Sequence, residues 1–155
     1  MSEEDLDKIV NAILKFADLQ NDLTRSYIFD IKKFTEVSGK TGPYILYTYL
    51  RINKLLSSNN GNLSDKIYNE VDRELRIKLL EVTDYLNQAI RERRPHYIAN
   101  YVYDLATVAN NFYSVNKMSD LNNDIKNDYD IVLSYNNKVI KELLELLGIF
   151  IPKKM

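Results

Sequence analysis

Apolar residues recur along this chain with a period close to 3.6, and that spacing predicts helices almost everywhere. Leu6, Ile9, Val10, Ile13 and Ala17 fall on one helical face behind an acidic first turn, the charge sign that a helix N-terminus favours. Asn21-Asp22 interrupts the pattern, and a short helical stretch follows from about Asp30 to Val37. The turn-rich run Ser38-Gly39-Lys40-Thr41-Gly42 then leads to Pro43, whose fixed φ suits the first position of a new helix. That helix carries Ile45, Tyr49, Ile52 and Leu56 on one stripe and is expected to end near Ser57. The polar run from Ser57 to Asn62 reads as an exposed loop, too short to link two domains.

The second half continues in the same manner. From about Ser64 to Arg94 the chain is charged and helix-forming, with Ile67, Val71, Leu75, Leu79, Val82, Leu86 and Ile90 as inward candidates. Pro95 breaks it, because the residue before a proline is pushed out of the α region. Ile98, Val102, Leu105, Ala109 and Phe112 then follow i, i+4, i+7, i+11 and i+14, a strong amphipathic signal. After a polar stretch from Asn116 to Asp124, a last helix from about Ile125 to Leu147 presents Ile125, Tyr129, Val132, Ile140, Leu143 and Leu147. Gly148 suits the position that ends it, with Pro152 shortly beyond. No internal repeat and no strand pattern interrupts this reading. The expected fold is an all-α helical bundle of five to seven helices, one domain over 1–155.

Composition narrows the function classes. Only four Gly and three Pro argue against an all-β fold, and 45% hydrophobic residues suffice for a core in a chain of 155. No apolar run is long enough to cross a bilayer, and the acidic N-terminus is neither a secretory signal nor a transit peptide. The expected location is cytoplasmic, with no membrane partner. The absence of Cys removes disulfides and thiolate chemistry, and a single His, His96, leaves little room for metal sites or a Ser-His-Asp triad. With a net charge of −1, any polyanionic partner must be met by a local patch. Twelve Tyr without a Trp fit either a Tyr-rich core or a stacking surface, and composition alone favours the core.

Catalytic motifs are incomplete. Gly39-Lys40-Thr41 resembles the end of a phosphate-binding loop, but Phe34 stands where the motif needs its first Gly, and no strand precedes it. Lys117-Met118-Ser119 resembles an ATP-holding loop of class I synthetases, yet its His-rich companion motif cannot exist with one His. The carboxylates interleave with Lys and Arg at helical spacing, as on solvated faces, and His96 beside Pro95 reads as a surface or helix-start residue. The chain is not expected to be an enzyme on its own, nor to bind a cofactor.

Several blocks in order resemble a known family. These are Ala12-Ile13-Leu14-Lys15-Phe16-Ala17-Asp18-Leu19, Asn21-Asp22, Tyr27-Ile28-Phe29-Asp30, and Thr41-Gly42-Pro43-Tyr44 with Tyr47 and Arg51. They continue with Pro95-His96-Tyr97-Ile98, Tyr101 to Ala106, Asn110 to Tyr113, Leu146 to Ile149, and Pro152-Lys153-Lys154-Met155. Together they resemble the C-terminal anticodon-binding, or DALR, domain of arginyl-tRNA synthetases over essentially the whole chain. The resemblance implies an all-helical domain of the class I synthetase anticodon-binding type. Its partner is the anticodon stem-loop of tRNA(Arg), while a separate Rossmann-type catalytic domain, absent from this chain, binds ATP and arginine. The chain is then an excised domain of an arginine–tRNA ligase or a free-standing relative. A helical protein-interaction module of the same fold is a third reading, favoured only by the near-neutral charge.

Two lines bear on the site. Tyr44, Tyr47, Thr48 and Arg51 follow i, i+3, i+4 and i+7, which places them on one helical face; that spacing fits core packing or a platform for bases. The resemblance assigns Tyr47, Arg51, Tyr113, Lys117 and Met155 to the anticodon loop, with the loop residues Ser38, Gly39, Lys40 and Thr41 alongside, and leaves Tyr44 undecided. Lys117 stands where relatives can be aromatic, which favours phosphate over base contact. Tyr129 stands where the family commonly carries Arg, which would make that part of the surface less basic. The apolar Ile149, Phe150 and Ile151 are expected to dock the tail on the bundle and hold Met155 in place.

Overall fold

The computed structural model describes residues 1–57 and 61–155, and every regular element among them is helical. The expected loop residues Ser58, Asn59 and Asn60 lie outside the described residues. The order is α1 (Glu3–Leu19), α2 (Ile31–Phe34), α3 (Gly42–Asn53), α4 (Glu70–Leu80), α5 (Val82–Glu92), α6 (His96–Val115) and α7 (Asn123–Leu146), with a 3-10 turn at Met118–Asp120 before α7. None is long and apolar enough to cross a membrane.

Local chemistry explains most boundaries. Ser2, Asp30, Thr41, Asn69 and Asn122 each accept a backbone N–H from the first turn that follows, satisfying donors that would otherwise lack a partner. Arg93 closes α5 in the left-handed region at φ 55° just before Pro95, and Gly148 follows α7 at φ 71°. The charged stretch is two helices, not one, because the chain turns at Glu81. That break resets the helical phase, so Ile90, 72% exposed on α5, faces outward instead of inward; Ile67 is exposed for a different reason, because it precedes α4 and lies on no helical face. Similarly α3 ends at Asn53, short of Ser57.

α6 is the spine. It packs against α4, α5, α7 and α3, and its buried Tyr101, Val102, Leu105, Ala109 and Phe112 run through the centre of the core. α1 lies against α3, with Ala12 and Phe16 facing Ile45 and Leu46 in the core. Tyr129 of α7 is also core: its ring meets Phe112 edge-on at 4.7 Å and Tyr68 at 5.6 Å. Its burial agrees with its place on the apolar stripe of the last helix and corrects the expectation, drawn from the Arg that relatives carry there, that it belongs to the surface. α7 is packed on both flanks, so polar residues such as Asn136 and Asn137 are buried on it as well. Burial lifts the Tyr129 phenol to about 12, with the nearby Asp72 carboxylate adding to the shift.

Candidate nucleic-acid interface

α3 and α6 are locked together by a polar residue. The side-chain amide of Asn110 donates to the Tyr44 hydroxyl at 2.9 Å and to the Thr48 hydroxyl at 2.8 Å. Thr48 in turn donates to the Tyr44 carbonyl at 2.9 Å. One turn further along both helices, the same register brings the Arg51 guanidinium to 4.4 Å from the centre of the Tyr113 ring. A planar cation on an aromatic face is an attractive arrangement that also limits the rotamers of a long side chain.

Arg51 and Leu55 form a wall between two clefts. The first, of about 240 Å³, is bounded by Tyr47, Leu50, Lys54 and Met155 as well. The second, of about 570 Å³, is bounded by Tyr113, Ser114, Lys117, Met118 and Ser119. Neither cleft is lined by an Asp or Glu side chain, whereas Arg51, Lys54 and Lys117 all reach them. By contrast, a cleft between α4 and α6 is bounded by Glu70, Glu74, Glu81 and Asp104, with Lys78 the only cation among its lining residues. On a chain of net charge −1, a polyanion is favoured at the first location and repelled at the second. Tyr47 is 48% exposed, so its ring is available for stacking.

The residues singled out in sequence divide into two groups. Tyr47, Arg51, Tyr113, Lys117 and Met155 all line the paired clefts, although 108 residues separate Tyr47 from Met155. Ser38, Gly39, Lys40 and Thr41 line neither cleft. They sit at the opposite end of α3, where the Lys40 ammonium lies 5.6 Å from the Tyr103 ring and Tyr103 meets Tyr44. Ser38 and Gly39 are exposed, but Thr41 is buried and engaged within the fold. Its hydroxyl donates to the Glu36 carbonyl at 2.6 Å and accepts the Tyr44 N–H at 3.2 Å. Tyr44 is partly buried against the core and belongs to the locking layer.

The sequence pattern does not single out Leu50, Lys54, Leu55 or Ser114 for this site. Lys54 lies three residues beyond Arg51, a spacing that could have marked it. Met118 and Ser119 had drawn attention only as a chance likeness to an ATP loop.

The tail reaches its cleft by docking. Ile149 and Pro152 are buried and Ile151 partly so, while Phe150, expected to dock, points outward at 54% exposure. An extended strand of chain presents alternate residues to opposite sides, so Phe150 cannot face the bundle with its neighbours. His96 starts α6 as expected, but its ring is largely covered, tilted against the Tyr97 ring at 4.2 Å between centroids.

Comparison with known proteins follows this geometry. The family model described as the DALR anticodon binding domain matches residues 45–155. The arginine–tRNA ligase of Alkaliphilus oremlandii is 37% identical over 155 residues, covering 96% of this chain and 26% of that protein. That of Agathobacter rectalis is 34% identical, covering 99% of this chain and 28% of that protein. Among solved structures, the arginyl-tRNA synthetase of Plasmodium falciparum superposes with a TM-score of 0.84 at 25% identity, over 96% of this chain and 27% of that one. That of Thermus thermophilus superposes with a TM-score of 0.91 at 22% identity, over 99% of this chain and 28% of that one, and speaks to the fold alone. The chain thus spans about a quarter of the length of the curated relatives it matches.

Proposed function

The chain belongs to the DALR anticodon-binding domain family, and from that premise we propose that it grips the anticodon loop of tRNA(Arg) at the paired clefts around Arg51. One observation carries the reading: Tyr47, Tyr113, Lys117 and Met155, from three separate segments, line the two clefts that Arg51 shares, with three cations and no carboxylate side chain lining them.

The chemistry suits the ligand. Every arginine codon has G in the middle, so every arginine tRNA shares a central anticodon cytosine. Reading that base requires it to leave the stack, find an aromatic surface and have its edge hydrogen-bonded. Tyr47 and Tyr113 supply rings, and the Arg51 guanidinium supplies donors suited to the cytosine O2 and N3 acceptors. The Met155 thioether adapts its shape to an unstacked base. Lys54 and Lys117 are placed for loop phosphates, which set position without reading sequence. Lys40, a helix length away, suits the stem better than the loop.

The same reading makes 1–155 one RNA-gripping domain, cytoplasmic and without a cofactor of its own. It works with a catalytic domain that binds ATP and arginine, and by itself it does not activate arginine. Arginine-dependent ATP–pyrophosphate exchange by this chain alone would contradict that.

The direct test is a mobility-shift titration with an arginine anticodon stem-loop against a glutamine one. The arginine loop is expected to bind more tightly. Tyr113→Ala and deletion of Met155 should each weaken it by about 1–2 kcal/mol, the scale of one lost stacking partner. Because both brace the Arg51 wall, their losses should be less than additive. Equal affinity for both loops, with both variants silent, would place the site elsewhere.

A further inference from the structure

A chain terminus ordinarily frays unless something ties it down, yet the cleft beside Tyr47 is completed by residue 155. Besides the Ile149 N–H to the Leu144 carbonyl of α7, two hydrogen bonds tie the tail to α1. At one end the Lys15 ammonium donates to the Gly148 carbonyl at 2.7 Å, just where the chain leaves α7. At the other the Lys153 backbone N–H donates to Asp5 Oδ1, again at 2.7 Å. Asp5 is 3% exposed although it sits in the first turn of α1, where acidic residues normally face water.

The two anchors are compatible with the length of chain between them. Asp5 and Lys15 are ten residues apart, about 15 Å along a helix axis and about 80° apart around it. Gly148 and Lys153 are five residues apart, which in extended chain reaches at most about 17 Å. The tail therefore runs back along α1, with Ile149 and Pro152 buried between the anchors. Beyond the second anchor Met155 has only two residues, at most about 7 Å, in which to choose its position. That short reach ends at the cleft that Met155, 43% exposed, lines together with Tyr47, Leu50, Arg51, Lys54 and Leu55 of α3 and the turn after it.

We propose that α1 is a ruler for the C-terminal tail: Lys15 and Asp5 hold Gly148 and Lys153 at two fixed points and thereby set Met155 against Tyr47 and Arg51, which makes Asp5 and Lys15 positioning residues for the RNA-binding cleft. Neither residue lines that cleft, and neither touches RNA; each acts through the tail. The RNA half of the proposal rests on the anticodon reading given above. The chemistry of the distal anchor supports it, since a carboxylate accepting a backbone N–H makes a stronger bond than a neutral acceptor does. The Lys153 backbone N–H is also the largest influence holding the Asp5 carboxyl below its ordinary value.

The test uses the full chain labelled with 13C at methionine methyl groups. In the parent, the Met155 methyl, assigned from the Met155 deletion, should show restricted motion and a shift displaced by the Tyr47 ring. Asp5→Ala should release it, moving its shift toward that of free methionine. The same variant should weaken arginine stem-loop binding about 5- to 30-fold, as deletion of Met155 does, and the two changes combined should do no more than either. Asp5→Asn keeps an acceptor oxygen and should retain both the methyl signature and most of the affinity. Lys15→Met, which keeps the stem and loses the donor, gives an independent variant should Asp5→Ala fail to fold. A Met155 methyl unmoved in both Asp5→Ala and Lys15→Met would overturn the ruler whatever the RNA does. A released methyl with unchanged RNA affinity, alongside a silent Met155 deletion, would uphold the ruler and overturn the anticodon reading instead.

Discussion

Gly42→Ala should loosen both the fold and the cleft, because Gly42 sets how closely α1 approaches α3. A Cβ at this position would lie 2.7 Å from the Ala12 carbonyl carbon and closer still to its oxygen, where ordinary contact begins near 3.4 Å. The obstacle is helix backbone, which cannot rotate aside as a side-chain tip can. Relieving the carbon contact alone needs 0.7 Å, the difference of those two distances, so the helices must part by roughly 1 Å. The buried Ala12, Phe16, Ile45 and Leu46 lose contact as they do. Overpacking of this kind costs about 1–3 kcal/mol, against about 0.4–1 kcal/mol recovered because alanine restricts the unfolded chain. A net loss near 1–2 kcal/mol should lower the melting temperature by roughly 2–8 °C in a domain of this size. Circular dichroism melts and urea titration measure it. Since α1 holds the tail and α3 carries Tyr47 and Arg51, stem-loop affinity should fall as well, even though residue 42 lies far from the cleft. A variant that melts at or above the parent temperature, with unchanged affinity, would refute this account of why glycine stands there.

Asn110→Ala removes both bonds that tie Tyr44 and Thr48 to α6 and should cost about 1–3 kcal/mol in urea unfolding, with stem-loop binding weakened through the adjoining Arg51–Tyr113 stack; a loss below about 0.5 kcal/mol would mean water replaces these bonds. Asp22 is held well below the usual carboxylate range by the Thr24 hydroxyl and backbone N–H, then by Arg94. A depressed folded pKa adds stability above the ordinary value near ~4 and loses it as pH falls below, so Asp22→Asn should be less stable than the parent at neutral pH, with the gap closing in acid melts. At the alkaline end, burial raises the Tyr101 phenol, which donates to the Lys78 carbonyl at 2.6 Å, and pushes Tyr129 to about 12. Unfolded phenols ionise near ~10, so stability should fall as pH rises past that value, and phenolate absorbance from these two should appear only together with loss of helical signal.

Features that depend on a few neighbouring residues were legible in the sequence. A proline break or a helix-ending glycine acts within three or four positions, so Pro95 and Gly148 mark boundaries that the structure keeps. Periodicity likewise found the buried faces of α6 and α7, because a 3.6-residue repeat survives wherever one helix stays unbroken. It failed across Glu81, where a turn changes the phase and leaves Ile90 in solvent. What a face meets is a different kind of fact. Ile149 and Phe150 are adjacent apolar residues of the tail, yet one lies in the core and the other is open to solvent, since only packing decides which side of the tail finds a neighbour. Resemblance to a family named Arg51, Tyr113 and Met155, but their gathering is made by the α3–α6 register that Asn110 fixes and by a tail laid along α1. The Asp5–Lys153 bond spans 148 residues, and no local pattern carries it, because two groups that far apart meet only after every helix between them has been placed.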